Sequence, residues 1–223
     1  MRLSRSALVA LLRIFILCEL IGTWPCTIGD VHIVLLPKAA GGFRPIGLFP
    51  SLIRLWMRLR LPLAQAWQAS CDEPFFFAGA GKAAGVAAWK HCLRAELAAH
   101  AQADFATVLL DVVKCFEFVP HDTLCEESAA IGYPLALLRL TLAAYRLERR
   151  IGIQGVFSLG VLASRGITAG FGFATIELRV LLLRSLRRMV AASPGVALSV
   201  YVDDLTLESA GRPAVVTKVR SST

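Results

Sequence analysis

The chain has 223 residues, of which 56% are hydrophobic and 18% charged, with a formal net charge of +8 and an isoelectric point near 9.6. This length allows one sizeable core or two small subdomains, and the high apolar content excludes a mainly disordered protein. The excess of lysine and arginine is compatible with a polyanionic partner, although many basic proteins bind no nucleic acid.

Six cysteines, at positions 18, 26, 71, 92, 115 and 125, form no C-x-x-C pair, and the four histidines do not provide the ligand spacing of a zinc site. We therefore expect reduced, buried thiols and no structural zinc. The cysteine usage predicts an intracellular protein, nuclear or cytoplasmic, that is not secreted.

The N-terminal segment carries arginines ahead of an apolar run, a pattern that can be mistaken for a secretory signal peptide. Arg13 and Glu19 interrupt the run, no small-residue cleavage site follows it, and it is too short for a membrane span. We predict an uncleaved amphipathic helix that ends at Gly22, then a strand within residues 28–38, and no binding to membranes.

Lys38 and Arg44 flank a glycine-containing turn between two apolar runs. Such a loop can wrap a phosphate chain, because arginine offers forked hydrogen bonds and lysine a point charge, but a solvated hairpin tip has the same pattern. Residues 51–68 then predict a helix with a stripe of arginines, which either lies along a nucleic-acid backbone or is a solvated face.

The run GAGKAAG suggests a phosphate-binding loop, but Phe76 stands where such a loop needs glycine and Ala83 where it needs serine or threonine. We predict a turn that leads into an alanine-rich helix over residues 83–101. The next apolar run, residues 106–110, predicts a buried strand that places the carboxylate of Asp111 at its C-terminal end.

Two helices are predicted after this strand. Thr123 and Glu126 have the spacing of a capping box, which indicates a helix that ends before Gly132. A second helix follows over residues 135–150.

Glycines organise the next part of the chain. Alternation in residues 150–166, with a turn at Gly155, predicts a hairpin. Residues 166–170 form a glycine-containing turn, and a long helix over residues 171–189 follows it.

The run ALSVYVDDLTL, residues 197–207, alternates in polarity and predicts a β-hairpin with Asp203 and Asp204 at its tip. Adjacent like charges are unfavourable unless a cation neutralises them, although acidic turns also occur on plain protein surfaces. With Asp111 at the end of a neighbouring strand, these carboxylates would hold two metal ions ~3.5–4 Å apart, the arrangement that stabilises phosphoryl transfer.

Three motifs, in this order, resemble the reverse transcriptase domain, most closely that of non-LTR retrotransposons. They are LLPKAAGGFRPIGL at residues 35–48, DVVKCFEFVPHDTL at residues 111–124 and YVDDL at residues 201–205. The similarity runs from about residue 11 to about residue 208.

The resemblance implies an α+β polymerase fold, with an antiparallel palm sheet and largely helical fingers. The palm corresponds to residues 105–123 and 161–208, and the fingers to residues 1–104 and 124–160. Residues 209–223 are polar without clear periodicity and stand where the family continues towards the primer grip and thumb. We therefore expect an irregular tail and no thumb.

The resemblance also assigns roles to single residues. Asp111, Asp203 and Asp204 correspond to the catalytic carboxylates that bind Mg²⁺ or Mn²⁺. Lys38 and Arg44 correspond to the fingers residues that hold the triphosphate of the incoming nucleotide.

Two further positions concern nucleotide binding. Phe116 corresponds to the aromatic residue beneath the sugar of the incoming nucleotide, where a bulky ring excludes a 2′-hydroxyl; an ordinary core phenylalanine is the alternative. Gly170 belongs to the turn that holds the template strand and the new base pair. In this turn Thr168 and Ala169 replace the family's Pro-Gln, so the glycines match but the amide side chain does not.

The predicted activity is RNA-templated DNA synthesis by two-metal nucleotidyl transfer, with an RNA template, a DNA primer and deoxynucleoside triphosphates as partners. One alternative is a group II intron or retron reverse transcriptase, which shares several motif elements. Another is a degenerate retroelement remnant that binds nucleic acid without catalysis. The altered turn and missing thumb favour the remnant, whereas the three intact aspartates favour the enzyme.

Overall fold

The structure is a computed structural model that describes residues 3–39, 41–153 and 155–211. These residues form a mixed α+β fold with six α-helices and two β-sheets, as the sequence predicts. In chain order the elements are α1 (Arg5–Ile21), β1 (Val31–Pro37), β2 (Phe43–Leu48), α2 (Ser51–Ser70), α3 (Ala84–His100), β3 (Asp104–Asp111), α4 (His121–Ala130), α5 (Leu135–Tyr145), β4 (Arg149–Ile153), β5 (Val156–Phe157), α6 (Ala174–Ala192), β6 (Ala197–Tyr201) and β7 (Asp204–Gly211). Within this described part, no helix is long and apolar enough to cross a membrane.

The chain divides into two compact units, each with one sheet. The first unit lies within Met1–Ser70 and Phe116–Leu181, and the second within Cys71–Cys115 and Leu182–Thr223. The boundaries of fingers and palm stay a prediction. Because β7 continues through Gly211, the irregular tail expected from residue 209 starts after that strand at the earliest, and its remainder lies outside the described residues.

Helix α1 ends as predicted at Gly22, where a left-handed backbone (φ +78°) lets the N–H of Gly22 donate to Cys18 O at 2.7 Å. One side of the helix buries Phe15 and Cys18. Large apolar side chains elsewhere around the helix are exposed, among them Leu12, Ile16, Leu17 and Leu20. The prediction of an amphipathic helix is therefore wrong, because apolar residues cover both the core side and the solvent side.

Glu19 ties α1 to α2. Arg60 donates from Nε to Oε1 at 2.6 Å and from Nη2 to Oε2 at 2.8 Å, and Trp56 Nε1 donates to Oε1 at 2.7 Å. Burial opposes the charge on Glu19, but these hydrogen bonds outweigh it and lower the pKa of Glu19. Trp56 also packs edge-to-face on Trp24 and Phe173, with centroid distances of 5.4 and 5.6 Å, so one indole joins this polar anchor to the aromatic core.

The sheet of the first unit has the strand order β2-β1-β4-β5. The antiparallel β1–β2 pair and the β4–β5 hairpin at Gly155 confirm the predicted strands and turns. Strand β4 runs parallel to β1, with Arg149 opposite Val31. The helix predicted over residues 135–150 was too long, because the chain leaves α5 at Tyr145 to make this pairing.

Helix α4 begins at His121, two residues before the predicted cap Thr123, and no side chain caps it. The capping-box prediction is wrong because Pro120 is still extended and forms an antiparallel β-bridge with Arg165. The helix starts directly after that bridge, so Thr123 and Glu126 lie inside it.

The second unit is built on a three-stranded antiparallel sheet with the order β3-β7-β6. One face of this sheet is apolar and buried, at Leu198, Val200, Leu205 and Leu207. The edge of β6 is extended by residues 75–77, since Phe77 N donates to Val200 O and Val200 N donates to Phe75 O, both at 2.8 Å. The predicted alanine-rich helix is confirmed as α3, which contacts β3 and β7.

A buried carboxylate, Glu177, lies in the core of the first unit. Tyr145 donates its hydroxyl to Glu177 Oε2 at 2.5 Å, whereas Oε1 and the hydroxyl of Tyr133 are buried without a hydrogen-bond partner among the described residues. Burial raises the pKa of Glu177 from 4.5 to about 7, and the hydrogen bond from Tyr145 only partly opposes that shift. Glu177 therefore retains its proton at mildly acidic pH.

Replacing this carboxyl by its neutral isostere should remove a pH dependence of stability. Between pH 4.5 and about 7, folded Glu177 keeps a proton that the unfolded chain has lost, so its contribution to the free energy of unfolding falls as pH rises. In urea unfolding, we expect the free energy of unfolding of Glu177→Gln to equal that of wild type below pH 4.5. Above pH 7 it should be about 3 kcal/mol larger than that of wild type. A constant difference across this range would contradict the assignment.

Candidate functional site

The predicted acidic hairpin is present in the second unit. Strands β6 and β7 pair antiparallel with Tyr201 opposite Asp204, so Val202 and Asp203 form a two-residue turn. Val202 adopts a left-handed backbone (φ +61°), as a tight hairpin of this length requires. Asp203 thus lies in the turn itself, and Asp204 is the first residue of β7.

Asp111 lies directly opposite Asp204 across the β3–β7 pair. Directly opposite residues have Cα atoms ~4.5–5.5 Å apart and side chains on the same face of the sheet. The sequence predicted this neighbourhood with Asp203 on the adjacent strand. In the structure Asp204 stands opposite Asp111, and Asp203 precedes it in the adjoining turn.

A second acid on this face, Glu208, provides a comparison for the ion pairing of Asp111 and Asp204. Glu208 lies four residues along β7 from Asp204, is 1% exposed, and forms ion pairs with His91 and Arg94 of α3. In contrast, in residues 3–39, 41–153 and 155–211 no ion pair or side-chain hydrogen bond engages Asp111 or Asp204, or Asp203 beside them. Within this described part of the chain, the buried acid is neutralised and the paired acids have no cationic partner.

The donor set of this acidic tip fits a hard divalent cation in part. Carboxylate oxygens are the protein ligands of Mg²⁺, which usually takes one or two of them and completes its shell with water and substrate phosphates. Asp111 and Asp204 offer such a pair on one face. The described part of the chain contains no group of three histidine, cysteine or acidic side chains placed to enclose a metal ion, so a fully protein-built cage is not available there.

Lys38 and Arg44 belong to the β1–β2 hairpin of the first unit. The turn is closed by Lys38 N donating to Gly42 O at 3.0 Å, and Arg44 lies opposite Leu36 within β2. Both basic side chains are exposed. The arrangement is the predicted hairpin, with two cations available to a ligand near its end.

Phe116 and the turn at residues 166–170 also lie in the first unit and are directly joined. Ile167 N donates to Phe116 O at 2.7 Å. A cavity of about 240 Å³ is lined by the partly buried Phe116, by residues 166–169 and by Gly47 of β2. The structure therefore brings Phe116 next to the turn that contains Gly170.

Gly170 approaches protein backbone closely. A Cβ atom there would lie 2.5 Å from Gly47 O, and Gly47 N donates to Ala169 O at 2.7 Å. The need for glycine at residue 170 thus has a cause inside the protein, besides the expected contact with a template. Gly47 was missed by the sequence reasoning, although a glycine inside a strand often marks such a close backbone approach.

Gly170→Ala should destabilise the first unit by more than its backbone angle alone explains. Gly170 has φ +101° and the close contact with Gly47 O, whereas Gly132 has φ +69° and nothing within 4 Å of an added Cβ. We expect Gly132→Ala to cost about 1 kcal/mol and Gly170→Ala about 2–3 kcal/mol in urea unfolding. Equal losses of unfolding free energy in the two variants would show that the contact with Gly47 O adds no destabilisation.

No protein-family model and no curated protein sequence matches the chain. Solved structures do match it. Apo telomerase from Candida tropicalis has a TM-score of 0.60 and 15% identity, over 98% of this chain and 45% of that chain. Telomerase from Candida tropicalis in complex with the TWJ fragment of telomeric RNA has a TM-score of 0.59 and 14% identity, over 90% and 38%.

The corresponding telomerase complex from Candida albicans has a TM-score of 0.59 and 13% identity, over 89% of this chain and 41% of that chain. At such low identity the likeness shows the fold alone, so the mixed α+β fold of this chain is similar to that of these telomerase structures. The chain spans less than half the length of these telomerase chains.

Proposed function

We propose that this chain is part of a reverse transcriptase of the non-LTR retrotransposon type, which extends a DNA primer on an RNA template. The observation that carries the proposal is the pair of acids, Asp111 and Asp204, that meets on one face of a sheet beside Asp203 and has no neutralising side chain among the described residues. The polymerase-like fold and the order of the three sequence motifs support it. The RNA bound in two of the similar telomerase structures supports an RNA partner by analogy.

In the proposed reaction the primer 3′-hydroxyl attacks the α-phosphate of a deoxynucleoside triphosphate, and pyrophosphate leaves. Mg²⁺ held by the carboxylates would stabilise charge on the attacking and leaving oxygens. Asp111 and Asp204 contribute from opposite strands, and Asp203 from the turn. Lys38 and Arg44 bind the triphosphate, and no nucleophilic side chain is needed because positioning and electrostatics dominate phosphoryl transfer.

The second candidate is a remnant that binds nucleic acid without catalysis. It is favoured by the turn at Thr168 and Ala169, which lacks the family's amide side chain and whose Ala169 carbonyl is already bonded to β2. The two candidates differ in whether the aspartates catalyse DNA synthesis, since the remnant would only bind nucleic acid.

Primer extension decides between them. The 223-residue chain, a DNA primer annealed to an RNA template, deoxynucleoside triphosphates and Mg²⁺ should give extended products, and EDTA should abolish them. Asp111→Asn, Asp203→Asn and Asp204→Asn should each lower the rate by about 10²–10³-fold or more, because each removes charge stabilisation at the reacting phosphate.

Asp104→Asn is the matched control, since Asp104 is an exposed aspartate at the other end of β3. It should leave extension unchanged. If wild type binds the hybrid but does not extend it, the remnant is the better description. If the Asp203→Asn protein extends as well as wild type, the catalytic role proposed for Asp203 is wrong.

Phe116→Val tests the proposed sugar selectivity. If Phe116 lies beneath the sugar, the shorter side chain should admit ribonucleotides and raise the ratio of ribonucleotide to deoxynucleotide use by about tenfold or more, at nearly constant deoxynucleotide rate. If the ring is only part of the core, truncation should cost stability on the order of 3 kcal/mol and lower the use of both nucleotides together. Phe118→Val, an exposed neighbour stacked on Arg165, is the control and should leave the ratio unchanged.

A further inference from the structure

His121 is a buried histidine that the proposed reaction does not use. It is the first residue of α4, is 4% exposed, and lies with its ring stacked on Tyr145 at a centroid distance of 6.1 Å. Its Nε2 is 3.0 Å from Gly166 O. Because a carbonyl only accepts hydrogen bonds, Nε2 carries the hydrogen and donates to Gly166.

The surroundings keep this histidine neutral. Burial lowers the pKa of His121, and the positive charges of Arg146 and Arg149 lower it further, against the opposing effects of the Gly166 hydrogen bond and the charge of Asp122. Nδ1 is buried and has no hydrogen-bond partner in the described part of the chain. A second hydrogen there would be unsatisfied, so the ring acts as a fixed single donor.

The bond from His121 joins residues 116–121 to the glycine turn, and two backbone hydrogen bonds join the same segments. Ile167 N donates to Phe116 O at 2.7 Å, and Gly166 N donates to Val119 O at 2.8 Å. Gly166 has φ +95°, and a Cβ atom on it would lie 2.7 Å from Glu117 O. The two segments are therefore in close backbone contact. The Gly166 carbonyl lies between the two donating amides, those of Gly166 and Ile167, and the side chain of His121 holds it.

The same turn is held on its other side by β2, through Gly47 N and Ala169 O. Between these two attachments lies the cavity lined by Phe116, Gly47 and residues 166–169. The shape of the cavity wall next to Phe116 thus depends on how firmly Gly166 is held. His121 is itself immobilised by its burial and by the ring of Tyr145, whose hydroxyl is bonded to Glu177.

We propose that His121 is a positioning residue that holds the turn at residues 166–170 against the segment that carries Phe116. It thereby sets the geometry of the pocket wall that discriminates deoxyribose from ribose in the incoming nucleotide. This inference rests on the proposed polymerase function. His121 touches no substrate in this scheme and acts through Gly166 and Ile167.

Three variants separate this role from a general loss of stability. His121→Leu keeps an apolar side chain of similar size and removes the donor. His121→Gln keeps a donor near the position of Nε2. Leu124→Ala removes a fully buried side chain from the same helix and leaves the three hydrogen bonds in place.

The first measurement is amide hydrogen exchange by mass spectrometry, which needs no activity. In His121→Leu, peptides covering residues 163–171 should exchange at least about tenfold faster than in wild type under conditions where both are folded. His121→Gln should restore most of the protection, and Leu124→Ala should leave these peptides close to wild type. Unchanged exchange in His121→Leu, or no difference between leucine and glutamine, would overturn the inference.

The second measurement is primer extension. In His121→Leu we expect KM for deoxynucleotides to rise about tenfold and the ratio of ribonucleotide to deoxynucleotide use to increase, with a smaller change in kcat, because misplacement of the pocket wall affects nucleotide binding first. If exchange accelerates while KM and the ratio stay constant in an active enzyme, the role in nucleotide positioning is refuted. An inactive wild type would refute the polymerase function, and the positioning role with it, while the exchange data would still decide whether His121 holds the turn.

Discussion

Two like charges face each other at the end of the three-stranded sheet, and the apolar side of that sheet forces them there. Leu205 and Leu207 of β7 and Val200 of β6 are buried on one face. A slip of one residue would turn them outward and carry the acids inward, so register is strongly specified. With that register, Asp111 and Asp204 must lie opposite each other. Hydrophobic burial on one face thus offsets the electrostatic cost on the other.

The fate of each acid follows from its exposure. Glu208 is buried, and an unpaired carboxylate would be very costly there; Arg94 of α3 neutralises it, and His91 is its second polar partner. Asp111 and Asp204 are exposed, so water can stabilise them without a protein cation. That difference leaves them available to a ligand cation, which is the property that a phosphoryl-transfer site needs.

In the first unit the governing constraint is the absence of side chains at three glycines. Gly166 and Gly170 let backbone carbonyls come within distances that a Cβ atom would forbid, and Gly47 lets the side-chain methyl of Thr168 come equally close. The glycine turn is consequently held from two directions, by β2 and by the segment that follows Phe116. Such a frame gives the cavity beside Phe116 defined walls, whatever occupies it.

Local patterns in the sequence determined most of the elements, including the hairpin that carries Asp203 and Asp204 and the strand that ends at Asp111. Alternation, glycine stops and terminal acids act over a few residues, so they are visible without a structure. The start of α4 was misplaced because the helix begins directly after a β-bridge at Pro120, and the end of α5 was misplaced because a parallel pairing at Arg149 overrode helical preference.

Only the tertiary structure decided which acid stands opposite Asp111, why residue 170 must be glycine, and that His121 and Glu177 are buried. These properties depend on segments far apart in the chain: the register of β3 on β7, the contact of β2 with the glycine turn, and the packing of α4, α5 and α6. A sequence pattern records what each segment prefers by itself. It does not record which backbone atom or charge another segment brings to it, because that is fixed when the apolar faces pack and the strands choose their partners.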